Sequence, residues 1–134
     1  LLMTFEPVDI TGDDEISVTI AVAAPRGTDA YANTAADTTD LSVWIIVDDG
    51  DPVEIGRFCG DVWNDSTTNL ALDMDMDGVG EGTALTSTLQ DFTFTYPVSG
   101  DELVVMVRAE SRQNNQEIVF DNVRVKSVTV RPTP

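Results

Sequence analysis

Apolar and polar residues alternate with a period of two along most of the chain, and nowhere does a 3.6-residue period run together with helix-capping residues. In Ile16-Ser17-Val18-Thr19-Ile20-Ala21-Val22 the large apolar side chains fall on one face and the small or polar ones on the other, as a half-buried strand requires. Leu103, Val105 and Val107 repeat the pattern. Leu41, Val43, Ile45 and Val47 form another inward row, but Trp44 and Ile46 make its reverse face apolar too. That strand is expected to be central, or covered on its outer face. Further strands are predicted over 53–58, over 89–96 with Phe92, Phe94 and Tyr96 in step, and over 118–130. Turn chemistry separates them at Thr11-Gly12-Asp13, Pro25-Arg26-Gly27, Asp49-Gly50-Asp51-Pro52 and Pro97-Val98-Ser99-Gly100-Asp101. Many short strands with Gly, Pro and Asp between them predict an all-β fold, a two-sheet antiparallel β-sandwich of the jelly-roll type.

The chain has 134 residues, which fits one hydrophobic core. Residues 1–131 are expected to form the single domain, and 132–134 a linker-like tail. No apolar run approaches the roughly 18 residues that span a bilayer, so membrane insertion is not expected. Two long connections, 26–40 and 60–87, break the strand rhythm with Ala, Thr, Asn, Asp and Gly. Connections of that length in a compact domain bind something or are disordered, so any ligand is expected there.

Charge sharpens the picture. Seven Lys and Arg stand against 24 Asp and Glu, a net charge of −17, which repels phosphate backbones and disfavours nucleic acid as a partner. Such an excess of acid either forms a solvated coat or gathers at hard cations, because Ca²⁺ takes six to eight oxygen ligands. The single cysteine, Cys59, allows no internal disulfide and no thiolate cage. The chain opens on Leu1-Leu2-Met3 without a basic segment or signal-peptide core, and is read as a mature protein or an excised domain.

The most specific local motif is Asp73-Met74-Asp75-Met76-Asp77-Gly78. Carboxylates at alternating positions followed by Gly can wrap oxygens around one cation, the Gly permitting the sharp turn. The segment starts like an EF-hand loop but does not end like one: the place of the bidentate Glu is held by Ala84, and Glu81 falls three residues early. The alternative is a solvated acidic turn. A second motif lies in the last strand, where Asp121-Asn122 interrupts Ile118-Val119-Phe120 and Val123-Arg124-Val125. Asp is disfavoured inside strands, so Asp121 is expected either to bind a cation or to point outward at a β-bulge.

The stretch Ile118-Val119-Phe120-Asp121-Asn122-Val123-Arg124-Val125 resembles the closing strand of jelly-roll modules similar to carbohydrate-binding modules of secreted bacterial proteins. Phe5 to Gly12 followed by the strand from Ile16 to Ala24, Asp40-Leu41, Asp73 to Gly82 with Thr83-Ala84-Leu85, and Phe92-Thr93-Phe94 extend the likeness over most of the chain. The resemblance implies a structural calcium held by Asp121 with an acidic partner from an early segment, Asp40 or Asp37, and it implies a secreted, extracellular protein. It departs at Ala35-Ala36-Asp37, where such modules carry an aromatic and acidic cluster.

Sugar rings stack on exposed aromatic faces, which singles out Trp63 and Tyr31 in the long polar connections and Trp44 on its strand. The competing role for each is packing beneath a loop. Catalysis has little to draw on. The chain has no histidine, which removes the commonest general base, and no nucleophile motif occurs. The sequence is therefore read as a non-catalytic, calcium-binding extracellular module that binds polysaccharide or a cell-surface glycan. The alternative is a structural subunit of a filament, sheath or adhesin, assembled with calcium and linked through the apolar N-terminal segment Leu1-Leu2-Met3-Thr4-Phe5 by strand addition.

Overall fold

A computed structural model describes residues 1–26, 30–111 and 117–128, and all regular structure within them is strand. In chain order the strands are β1 (Leu2–Thr4), β2 (Val8–Asp9), β3 (Glu15–Ala23), β4 (Tyr31–Asn33), β5 (Asp40–Val47) and β6 (Val53–Gly60). They continue as β7 (Asp65–Thr68), β8 (Leu70–Leu72), β9 (Gln90–Pro97), β10 (Glu102–Glu110) and β11 (Val119–Ser127). The expected tail at 132–134 lies outside the described residues. No helix among them is long and apolar enough to cross a membrane.

Two antiparallel sheets face each other. The larger runs β1-β10-β5-β6-β8, with β2 also on β10, and the smaller runs β11-β3-β9. The strands β9, β10 and β11 alternate between the two sheets, which is how a jelly roll is wound. The period-two rows meet between the sheets. Ile16, Val18, Ile20 and Val22 from β3 pack with Leu41, Val43 and Ile45 from β5 and Leu103, Val105 and Val107 from β10, all buried. β5 lies centrally between β10 and β6, as its two apolar faces require, and Trp44 and Ile46 are half-buried on its outer side.

The β5–β6 hairpin turns through Asp48 and Asp49, both at positive φ, closed by the Gly50 N–H donating to the Val47 carbonyl at 2.9 Å. Two successive left-handed residues match the twist of the flanking strands. The Asp48 carboxylate then accepts from the Asp101 and Glu102 amides, which ties the turn to the start of β10.

The last strand shows what Asp121-Asn122 does. Between Asp121, opposite Ala21, and Arg124, opposite Thr19, β11 carries an extra residue, with Asn122 at φ 53°. The Asp121 Oδ1 accepts the Asn122 N–H at 2.8 Å. This bulge shifts the alternation by one, so that Phe120 before it and Val123 and Val125 after it all pack on the core, while Asp121, Arg124 and Lys126 stay exposed.

The segment Leu1-Leu2-Met3-Thr4-Phe5 is placed within its own domain: β1 pairs with β10 in the register Leu2↔Arg108 to Thr4↔Met106. The two long connections are not structureless. They hold β4 and β7, which form a small separate sheet, and β8, which extends the larger one.

Asp40 opens β5 opposite Glu110 of β10. Burial pushes its carboxyl above the ordinary value of 3.8, and the Glu110 charge adds to this while Arg57 opposes it. Its ionised form therefore costs stability above the ordinary carboxylate range, and the cost is absent at pH below it. Asp40→Asn is expected to melt at a higher temperature than wild type at neutral pH, with the gain vanishing once the pH falls below 3.8. A gain that is independent of pH in paired melts would contradict this account.

Candidate metal centre

The site grows out of the end of β8. Leu70 and Ala71 are buried in the ladder with β6, and the main chain stays in register one residue further, the Asp73 N–H donating to the Arg57 carbonyl at 2.8 Å. Asp73 is thereby carried inward and is only 2% exposed. The next residues leave the sheet. The Gly78 amide donates to Asp73 Oδ2 at 2.8 Å and the Asp77 amide to Asp73 Oδ1 at 3.2 Å, so the loop folds around this one carboxylate. Gly78, at φ +93°, makes the reversal in a region that side chains disfavour.

The loop is pinned to the sandwich on its return. The buried Asn33 of β4 donates through Nδ2 to the Gly60 carbonyl at 3.1 Å and to the Gly78 carbonyl at 2.9 Å. The Gly80 amide donates to the Gly60 carbonyl at 2.9 Å. A Cβ at Gly80 would lie 2.6 Å from the Ala71 carbonyl oxygen and 2.7 Å from that of Cys59, so only glycine lets the chain approach the sheet this closely.

Within this frame Asp73, Asp75, Asp77 and Glu81 each offer a carboxylate oxygen, and those oxygens all lie within 4.8 Å of one another. The group could hold a metal ion. Glu81 closes it by reaching back along the loop, its Oε1 accepting the Met74 amide at 2.5 Å and the Asp75 amide at 3.1 Å. Burial is the largest influence on Asp73 and raises its pKa. The amides of Gly78 and Asp77 oppose the rise, and the neighbouring Asp75 and Asp77 carboxyls reinforce it. Cys59 of β6 lies beside it, Sγ 3.8 Å from Asp73 Oδ2. Burial first, and then the Asp73 charge, push that thiol up to about 12, so it stays protonated and is a poor metal ligand.

Of the residues singled out from sequence, Asp73, Asp75 and Asp77 are brought together. Glu81 completes them, and its signal was its place: counted from Asp73 it is the ninth loop position, which in EF-hand loops also faces the ion, often through water. Ala84, at the twelfth, instead bridges to Ala71. Asp121, Asp40 and Asp37 belong to no such group among the described residues. Asp121 caps its bulge. Asp40 lies in the β5–β10 ladder. Asp37 closes a turn in which its amide donates to Thr34 Oγ1 at 3.0 Å.

The aromatics separate cleanly. Tyr31 is fully buried, its hydroxyl donating to the Glu117 carbonyl at 2.6 Å and accepting the Arg26 amide, so its ring offers no face to a ligand. Its polar surroundings in sequence concealed that it lies on β4, packed into the core. Trp44 is half-buried, with Nε1 donating to Ser42 Oγ. Trp63 is 56% exposed in the β6–β7 connection. Compared with known proteins, the chain matches no family model, no curated protein and no solved structure.

Proposed function

We propose that this domain is a non-catalytic, calcium-binding β-sandwich module of an extracellular protein, which contacts a carbohydrate or cell-surface partner through its loops. The observation that carries the reading is the convergence of four carboxylates around Asp73, one of them buried at the base of the loop. An all-oxygen set of this kind suits Ca²⁺, which tolerates irregular shells of six to eight oxygens, better than Zn²⁺, which favours nitrogen and sulfur in a tetrahedron. Mg²⁺ is disfavoured because it keeps several waters in a strict octahedron and is seldom held by an all-protein cage. The absence of histidine from the chain argues against a transition-metal centre and supports a non-catalytic role.

Asp75, Asp77 and Glu81 are exposed, so one side of a bound ion would face outward, where a partner oxygen such as a sugar hydroxyl could complete its shell. The exposed Trp63 ring is the available stacking surface. Calorimetric titration of metal-free protein is expected to give one calcium per chain, with binding lost in Asp75→Asn. Polysaccharide pull-down in calcium is expected to retain the wild type and to fail in Trp63→Ala. No heat of calcium binding would remove the metal reading, whereas calcium binding without polysaccharide capture would remove only the glycan partner.

A further inference from the structure

The sandwich is closed along one side and open along the other. On the closed side, Phe58 of the larger sheet meets Phe92 of the smaller at a ring distance of 4.8 Å. On the open side the outermost strands are β1 and β11, each paired on one edge only among the described residues. Between them lies a groove of roughly 440 Å³ lined by Leu1, Met3, Phe5, Ile118, Phe120 and Val123. Leu1, Met3 and Val119 along it are 74%, 40% and 41% exposed. A nine-residue edge without a strand partner among the described residues, beside a largely apolar groove that Asp121 and Asn122 also line, invites another strand.

The charge order along β11 points to what that strand is. In a chain of net charge −17, β11 runs from acidic to basic: Asp121 leads into the bulge, with Glu117 just ahead of the strand, and Arg124 and Lys126 follow it. An antiparallel copy of the same strand presents the reverse order and is therefore complementary to it. We propose that a second copy of this chain pairs with the free edge of β11, antiparallel, about a two-fold axis between Asn122 and Val123.

That register is set by the faces of the strand. Antiparallel partners must share a face. About this midpoint Val119 lies opposite Lys126 and Asp121 opposite Arg124, all exposed, while Phe120 lies opposite Val125, both packed on the core. The exception is the axis itself, where exposed Asn122 meets core-facing Val123; the bulge breaks the alternation there, and both copies change phase at the same place. Two Asp121–Arg124 pairs form, each joined to Asp91, which already accepts from Arg124 at 3.0 Å. The pairing is isologous, so it closes as a dimer and does not extend into fibres.

Sedimentation of the wild type in chelator, so that calcium bridging plays no part, is expected to give a concentration-dependent dimer at physiological ionic strength, where the repulsion between two chains of net charge −17 is largely screened. Arg124→Asp, which sets two carboxylates opposite each other twice, should weaken it by roughly tenfold or more. The swap Asp121→Arg with Arg124→Asp should recover most of the loss. Because these changes also touch the bulge and the Asp91 pair, hydrogen exchange on the wild type is a second readout: β11 amides should gain protection as concentration rises. A monomer up to submillimolar concentration, or a dimer with β11 exchange unchanged, would overturn the proposal.

Discussion

Replacing Phe58 with alanine is expected to lower the unfolding free energy by about 3–5 kcal/mol, the range for deleting a buried aromatic from a core that cannot collapse around the gap. The ring is fully buried on β6 and meets two aromatics of the facing sheet edge-on, Phe92 at 4.8 Å and 72° and Phe94 at 6.0 Å and 74°. Both partners come from one strand, β9, so the cavity would open along the closed side of the sandwich and expose the seam between the sheets. Domains of this kind are stable by about 5–15 kcal/mol, so the loss is a large share of the total. Phe58 also stands opposite Leu72, directly before Asp73, so the variant should loosen the root of the acidic loop too. Urea denaturation followed by tryptophan fluorescence measures the loss. A decrease below about 1 kcal/mol would mean that the two sheets are not joined through this ring.

The strands that build this core were legible because each carries large apolar residues two apart, and burial on one face is enough to fix a strand. Ile16 to Val22, Leu41 to Val47 and Leu103 to Val107 are placed as their alternation requires. The short strands β4, β7 and β8 were not legible. Three or four residues cannot display a period, and Tyr-Ala-Asn or Asp-Ser-Thr-Thr becomes strand only through the partner it meets across the fold. The same limit hid Tyr31: nothing local distinguishes a buried ring on a three-residue strand from an exposed one in a loop.

At Asp121 the sequence signal was sound, since a charge within an apolar strand demanded either a cation or a bulge. The bulge itself depends on backbone geometry, the positive φ of Asn122, which no spacing encodes. The loop from Asp73 was legible as far as Gly78 because its ligands alternate. Glu81 falls three residues short of the closing position of an EF-hand loop, and what brings it in is a main-chain route fixed by Asn33 and Gly80, residues distant from the motif or silent within it.

If the loop holds calcium as proposed, the ion at about 100 times its dissociation constant should stabilise the domain by about 2.7 kcal/mol, because it would bind the folded loop and not the unfolded chain. For a chain of this length that is a rise in Tm of about 10 °C. The informative variant is Asp73→Asn. Burial and the adjoining Asp75 and Asp77 carboxyls raise the Asp73 pKa, so without a cation its ionised form is a cost that is present above the ordinary carboxylate value and disappears below it. Asp73→Asn removes that charge but can accept only one of the Asp77 and Gly78 amides that the carboxylate holds through its two oxygens, so the metal-free variant should melt below wild type on any reading, and the rise with calcium should be abolished. A purely structural carboxylate, needed only for the Asp77 and Gly78 amides it accepts, gives the same lower melting point in chelator but leaves the calcium response unchanged. Melts of both proteins, each with calcium and with chelator, separate the two through the variant's calcium response. Equal melting of the wild type in calcium and in chelator would mean that the four carboxylates shape a loop and hold nothing.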